Sequence, residues 1–279
     1  MQRIVLLSLA IGALLAVPTV SADTEEMICE HAKLNTADAS TLDPGQWQLE
    51  ISYALTRAHS GFANDWSRTG RPLLREREFS LGVTYGMVEN LDVGIGIGYL
   101  DVHDRDTDQR HGEGLAELEI AAKWRFYYDE DSRLEVAYIP AVVLPTGKRE
   151  TARRLGTTDD FVSIYNGIAV SKDWSDRATS NFDLGFNWPV GGDRDGYRGT
   201  LSADAAFGYH VLPWLQPEVE LNYAHDFSRG SGSDLMAVTA GFIICCHDRV
   251  RVDVGYQQAL WGRNADRTGT AMATVTLFY

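Results

Sequence analysis

The sequence predicts an all-β protein, a closed antiparallel transmembrane β-barrel of about twelve strands in up-and-down order. Three observations carry that prediction. Hydrophobicity alternates with a period of two along segments of about ten residues, the links between segments alternate between short and long, and the chain ends on an aromatic, Tyr279, at the close of such a segment.

Ahead of the alternating pattern, Arg3, the apolar run from Ile4 to Val17 and the small-x-small triplet Val20-Ser21-Ala22 have the form of a secretory signal. The alternative, an N-terminal membrane anchor, is opposed by Pro18 and by the acidic residues that follow. The expected organisation is therefore a signal peptide over 1–22, a periplasmic pre-barrel segment over 23–44 and a barrel over 45–279. Loss of Arg3, the leader's one charged residue, takes the formal charge from −14 to −15. That balance argues against nucleic acid as a partner, because nothing would neutralise a phosphate backbone. No second apolar run of 18 residues or more follows, so no transmembrane helix is expected.

The first strand reads Trp47, Leu49, Ile51, Tyr53, Leu55 on one face and Gln48, Glu50, Ser52, Ala54, Thr56 on the other. The beat returns at Phe79–Tyr85, Leu91–Tyr99, Leu118–Phe126, Phe182–Trp188, Leu201–Tyr209, Pro217–Tyr223, Val250–Tyr256 and Ala271–Tyr279. Fainter strands are expected at 133–144, 160–172 and 234–245. Short links fall at 86–90, 128–132, 172–178, 211–215 and 245–249. Longer ones, rich in Gly, Asp, Arg and Thr, fall at 58–74, 102–113, 145–160, 189–197 and 261–267.

Alternation alone fits a soluble sandwich as well as a membrane barrel. Segments of about ten residues suit a tilted crossing of hydrocarbon, whereas soluble strands average five or six. The polar beat carries both signs of charge at Glu117, Glu119, Lys123 and Arg125, as a wet or ion-paired lumen would. Aromatics sit at segment ends: Trp47, Tyr127, Tyr128, Trp174, Trp214 and Tyr279 on the short-turn side, Tyr99, Trp188 and Trp261 on the other. Amphipathic rings favour the headgroup level. The last strand is expected to pair with the first near Trp47, since a barrel in lipid must close.

Segments 80–100 (SLGVTYGMVENLDVGIGIGYL), 114–128 (GLAELEIAAKWRFYY), 142–150 (VVLPTGKRE) and 167–174 (GIAVSKDW) resemble consecutive hairpins of the outer-membrane transporters named after the meta-pathway of phenol degradation. The resemblance covers most of Gly45 to Tyr279 and consists of barrel grammar rather than chemistry. It implies residence in the outer membrane and a channel-like role, with small, partly hydrophobic or aromatic compounds as solute, and it brings no catalytic residues. The end ATVTLFY resembles the signal read by the barrel assembly machinery, carried here by Val275, Leu277 and Tyr279, the last in place of the commoner Phe.

Twelve charged residues fall on the polar beat and are expected to line the lumen: Glu50, Glu117, Glu119, Lys123, Arg125, Glu135, Asp183, Asp204, Glu218, Glu220, Arg251 and Asp253. They either set the selectivity of a passage or fill a narrow barrel with ion pairs. Nine are carboxylates and three are cations, so an open lumen would favour cations. Asp104, Asp106 and Asp108 have the spacing of a calcium loop, but Gln109 stands where the turn glycine belongs and Leu115 where the bidentate Glu would be, so no metal is expected. His103 with Asp104, His225 with Asp226, and Asp159 with Asp160 are acid–base candidates for an outer-membrane hydrolase. No Gly-x-Ser-x-Gly or His-Glu-x-x-His accompanies them, and the expectation is no enzyme and no cofactor. Gly94, Gly96 and Gly98 alternate inside a strand, which leaves a strip free of side chains or a place of close packing. Cys29 is expected to pair with Cys245 or Cys246 in an oxidising compartment. The arginines of the first loop (Arg57, Arg68, Arg71, Arg75, Arg77) suit lipopolysaccharide phosphates or a solvated strand end. Three functions stand open: a passive channel, a structural or surface-interaction barrel with a plugged lumen, and a hydrolase.

Overall fold

A computed structural model describes residues 32–105, 110–151, 154–192, 196–247 and 249–279. The expected signal peptide and Cys29 lie outside the described residues. Twelve strands follow in order: β1 (Trp47–Phe62), β2 (Arg68–Val88), β3 (Leu91–Asp104), β4 (His111–Asp129), β5 (Leu134–Leu144), β6 (Phe161–Asp173), β7 (Ala178–Gly192), β8 (Tyr197–Tyr209), β9 (Leu215–Ser228), β10 (Ser233–His247), β11 (Val250–Arg263) and β12 (Ala265–Phe278). Each pairs antiparallel with its neighbours in sequence, and β1 pairs with β12, so the sheet is a closed ring.

The closure lies where the terminal aromatic places it. The Trp47 N–H donates to the Tyr279 carbonyl at 3.0 Å and the Tyr279 N–H returns to the Trp47 carbonyl at 2.9 Å. From there the register runs unbroken from Gln48↔Phe278 to Ala58↔Thr268. In hydrocarbon an unpaired backbone group costs several kcal/mol, so the seam has to be as complete as any other pair.

The faces are those of a soluble core turned inside out. Tyr53, Phe79, Ile95, Tyr99, Ile120, Phe182, Leu184, Val219 and Leu221 are exposed on the outer wall. Between them Asp183, Asn181, Glu218, Glu220, Thr239, Asp253 and Thr276 are buried on the inner one. Trp47, Tyr127, Tyr128, Trp174, Trp214 and Tyr279 are exposed near the short-turn rim, and Tyr99, Trp188 and Trp261 towards the other.

The strands are longer than the alternation suggests, from 11 residues in β5 to 21 in β2. The expected links 58–74 and 261–267 are largely strand, and the described residues of 102–113 and 189–197 are mostly strand too. β1 and β2 are separated by residues 63–67, and between β11 and β12 stands Asn264 alone, turned by a φ of 50°. Above the hydrocarbon, backbone pairing continues but the outer face no longer needs apolar side chains, so the ladder persists after the period-two signal ends. The fainter strands are faint for another reason. The inner beat of β6 is Ser163, Tyr165, Gly167, Ala169 and Ser171, so it contrasts little with the apolar outer beat.

Ala273 stands between Tyr53 and Val254 in the closing strand. Ala273→Pro removes a ladder donor in mid-sheet. The variant is expected to lose the heat-modifiable folded band on electrophoresis after refolding, which the wild type keeps.

Candidate functional site

Residues 32–44 read Ala-Lys-Leu-Asn-Thr-Ala-Asp-Ala-Ser-Thr-Leu-Asp-Pro and have no periodicity to join a sheet. Their backbone donors still need partners. The barrel wall supplies them. The Leu34 N–H donates to Glu218 Oε1 at 2.7 Å, and Asn35 and Thr36 donate to Glu220 Oε1 at 3.0 and 3.3 Å. The Ala37 N–H reaches Asp183 Oδ2 at 2.8 Å, Ala39 reaches Ser171 Oγ at 2.9 Å, and Leu42 reaches Asp92 Oδ2 at 3.1 Å. Lys123 forms an ion pair with Asp38 and donates to the Ser40 carbonyl at 2.9 Å. These partners belong to β9, β7, β6, β3 and β4. A chain can touch so many strands of a closed ring, all on their polar beat, only from inside it. The segment expected to sit before the barrel thus crosses the lumen, near the short-turn ends of β9, β6 and β3, where Glu218, Ser171 and Asp92 lie.

Glycines and small residues seat it. Gly241 and Gly255 face each other across β10 and β11, and a Cβ on either would meet Leu34 Cδ1 at 2.7 or 2.5 Å. Ala32 and Leu34 pack on Ile243 and Cys245, while Ala37 and Ala39 pack on Ala137 and Ala169. Burial holds the Lys33 ammonium below the usual lysine range, against the pull of Glu218, Asp38 and Glu220.

Of the remaining polar-beat residues, five form ion pairs among themselves. Arg125 holds Glu135 at 3.2 Å, and Arg251 lies 3.1 Å from Asp253 and 3.8 Å from Glu50. Asp204 accepts from Asn222 Nδ2 at 3.0 Å, Glu117 accepts from the Asp159 N–H at 2.7 Å, and Glu119 is exposed to the lumen. Gly82 stands opposite Gly96 in the β2–β3 ladder, with Gly94 and Gly98 on the same inner beat. A Cβ at Gly96 would meet nothing nearer than 3.9 Å and one at Gly82 only Glu50 at 3.7 Å, whereas at Gly94 it would press on Thr84 at 3.2 Å and at Gly98 on Ala116 at 3.1 Å, so the open part of the wall is the Gly82–Gly96 pair. Tyr165 lies across the ring over Gly167 and Gly185, where a Cβ would collide with its ring.

The sequence reading missed the seats Gly241 and Gly255 and the receptors Asp92 and Ser171. Asp92 shares the inner beat with Gly94 and was findable by parity; the glycine seats carry no signal until their occupant is known.

The acid–base candidates do not form pairs. Adjacent residues of a strand face opposite sides. Asp104 turns inward to Arg71 at 2.9 Å, whereas His103 lies outward beside His111. His225 contacts Asp234 at 2.7 Å rather than Asp226, and Asp234 is also held by Arg263 at 2.7 Å. Asp160 lies 3.4 Å from Arg149. Of the first-loop arginines, Arg71 bridges Asp104 and Asp266, and Arg77 approaches Asp101 at 3.5 Å. Arg57 and Arg75 stand directly opposite each other without a carboxylate partner among the described residues. Cys245 is in a disulfide, and Cys246 is an exposed free thiol.

A closed barrel with an apolar outer belt and a polar interior is an outer-membrane β-barrel. Its fold is similar to that of an outer membrane channel from Pseudomonas putida F1, at a TM-score of 0.78 and 12% identity over 88% of this chain and 100% of that one. It is also similar to the porins NanC and KdgM, at TM-scores of 0.54 and 0.51 and 8% identity, each over 82% of this chain and 98% of the other. No curated protein matches the chain in sequence. The family model described as "Putative MetA-pathway of phenol degradation" matches residues 73–277, and the chain belongs to that family.

Glu220→Ala removes the acceptor of two segment amides. A hydrogen bond to a charged group contributes about 1.5–3 kcal/mol, so the amides of Asn35 and Thr36 are expected to exchange with deuterium roughly 10- to 100-fold faster. The amides of β9 and β10 should keep their protection.

Proposed function

We propose that the protein is a passive channel of the outer membrane for small, neutral molecules that are aromatic or partly hydrophobic, with residues 32–44 as its constriction. The observation that carries this reading is the Gly82–Gly96 pair, where the inner wall stays open beside a crossing segment held by hydrogen bonds rather than by strand pairing. Carboxylates exceed cations nine to three among the polar-beat residues, which disfavours anions such as benzoate but not a neutral phenol. The family's description supports an aromatic solute. No cofactor and no chemistry on the solute are invoked.

Conductance in planar bilayers and solute entry into proteoliposomes test this. A variant lacking residues 32–42 is expected to conduct several-fold more than the wild type and to admit phenol faster than benzoate. The second reading, a structural barrel with a plugged lumen, draws on the same segment. It gains if both forms stay closed at every voltage.

The partners fit the same setting. Arg57 and Arg75, like charges directly opposite on adjacent strands, would be relieved by lipopolysaccharide phosphates. The barrel assembly machinery would read Val275, Leu277 and Tyr279. We also assign Cys29 as the disulfide partner of Cys245, tethering the segment to β10. Without reductant only Cys246 is expected to alkylate; a labelled Cys29 under those conditions would refute the pairing.

A further inference from the structure

At the long-loop end of the β3–β4 hairpin, two histidines and two carboxylates share the outward face. Asp101 and His103 are two residues apart on β3 and so point the same way. They continue the outer beat of Ile95, Ile97 and Tyr99 just beyond the apolar belt. His111 stands directly opposite His103 in the ladder, and Glu113 stands opposite Asp101. The four side chains therefore form a two-by-two patch.

One donor atom each from Asp101, His103 and His111 lies within 4.8 Å of the other two. His111 Nε2 is 2.9 Å from Asp101 Oδ1 and 4.0 Å from Glu113 Oε2, and the two imidazole rings are 4.5 Å apart. His103 Nδ1 is buried and has no hydrogen-bond partner among the described residues, which leave one ring nitrogen of the cluster unsatisfied. Such groups are uncommon and usually have an explanation, an ion among them. Arg77 Nη1, 3.5 Å from Asp101 Oδ2, occupies the second oxygen of that carboxylate and leaves Oδ1 facing the imidazoles.

We propose that Asp101, His103 and His111 form a binding site for a divalent transition-metal ion, with zinc as the best match. Two imidazoles and one carboxylate make a three-ligand set that zinc completes to four with water or with Glu113. Calcium and magnesium demand six or more oxygens and are a poor fit to two nitrogens. The site is not the acidic loop of Asp104, Asp106 and Asp108: Asp104 is held by Arg71 on the inner side, and Asp106 and Asp108 lie outside the described residues. Two ligands come from β3 and one from β4, so a bound ion cross-links the two strands at the loop end of the hairpin, at the rim.

The test uses the refolded full-length barrel in detergent, without a histidine tag and stripped of metal. Titration with Co²⁺ is expected to give the visible absorption of a tetrahedral site at one ion per chain, displaced by Zn²⁺. His103→Ala and His111→Ala are each expected to weaken Zn²⁺ binding, measured by calorimetry, by at least about 100-fold, the upper end of what losing an outer-shell partner costs. His103→Gln serves as the conservative variant, His225→Ala is expected to bind as the wild type does, and heat-modifiable migration verifies folding throughout. Absence of the cobalt spectrum in the wild type would overturn the proposal. So would equally tight Zn²⁺ binding by the folded double variant.

Discussion

Every feature of this barrel follows from one constraint: in hydrocarbon no backbone N–H or C=O is left unpaired. The β1–β12 seam answers it, and the paired ends Trp47 and Tyr279 locate the answer at the last residue of the chain. Closure fixes which face looks inward, and because lipid takes the apolar face, the polar face becomes the interior. Buried Glu218, Glu220, Asp183 and Asp253 are then no anomaly. They are what remains when the hydrophobic residues are spent on the outside.

The same accounting governs the segment across the lumen. Irregular backbone is tolerated at membrane depth only where protein or water satisfies it. Here carboxylates of the wall accept the segment's N–H groups, so each side solves the other's problem: the donors are paired, and the carboxylates lose part of their cost of burial. That reciprocity explains why acids outnumber bases in the interior without a matching set of cations. It also makes the plug conditional, since hydrogen bonds to side chains are released one at a time, whereas a strand in the ladder is not.

Much of the fold was legible because a strand advertises itself whenever its two faces meet different solvents. β1, β3 and β12 alternate cleanly and were readable residue by residue. β6 was faint because Gly167, Ala169 and Ser171 on its inner face are small, and small residues contrast poorly with anything. The rim ends of β1 and β2, residues 58–62 and 68–74, were read as loop because their outer faces leave the hydrocarbon and the period-two contrast is lost. The charged interior was readable by parity alone, but its partners were not. Nothing in Glu220 itself says that it receives the amides of Asn35 and Thr36, nearly two hundred residues away. Gly241 and Gly255 likewise mean nothing until Leu34 is seen above them.

Glycine distribution joins the fold to the proposed passage. On β10 and β11 the missing side chains are filled by Leu34, and on β6 and β7 by the ring of Tyr165. On β2 and β3 the Gly82–Gly96 pair is met by nothing nearer than Glu50, 3.7 Å from where a Gly82 Cβ would stand. A glycine in a strand loses packing and conformational entropy, so a cluster facing empty space is costly unless the space is used. Two of the three clusters use it for packing. The third leaves the inner wall open at Gly96, beside a segment held by side-chain hydrogen bonds, and that opening is what the proposed passage draws on.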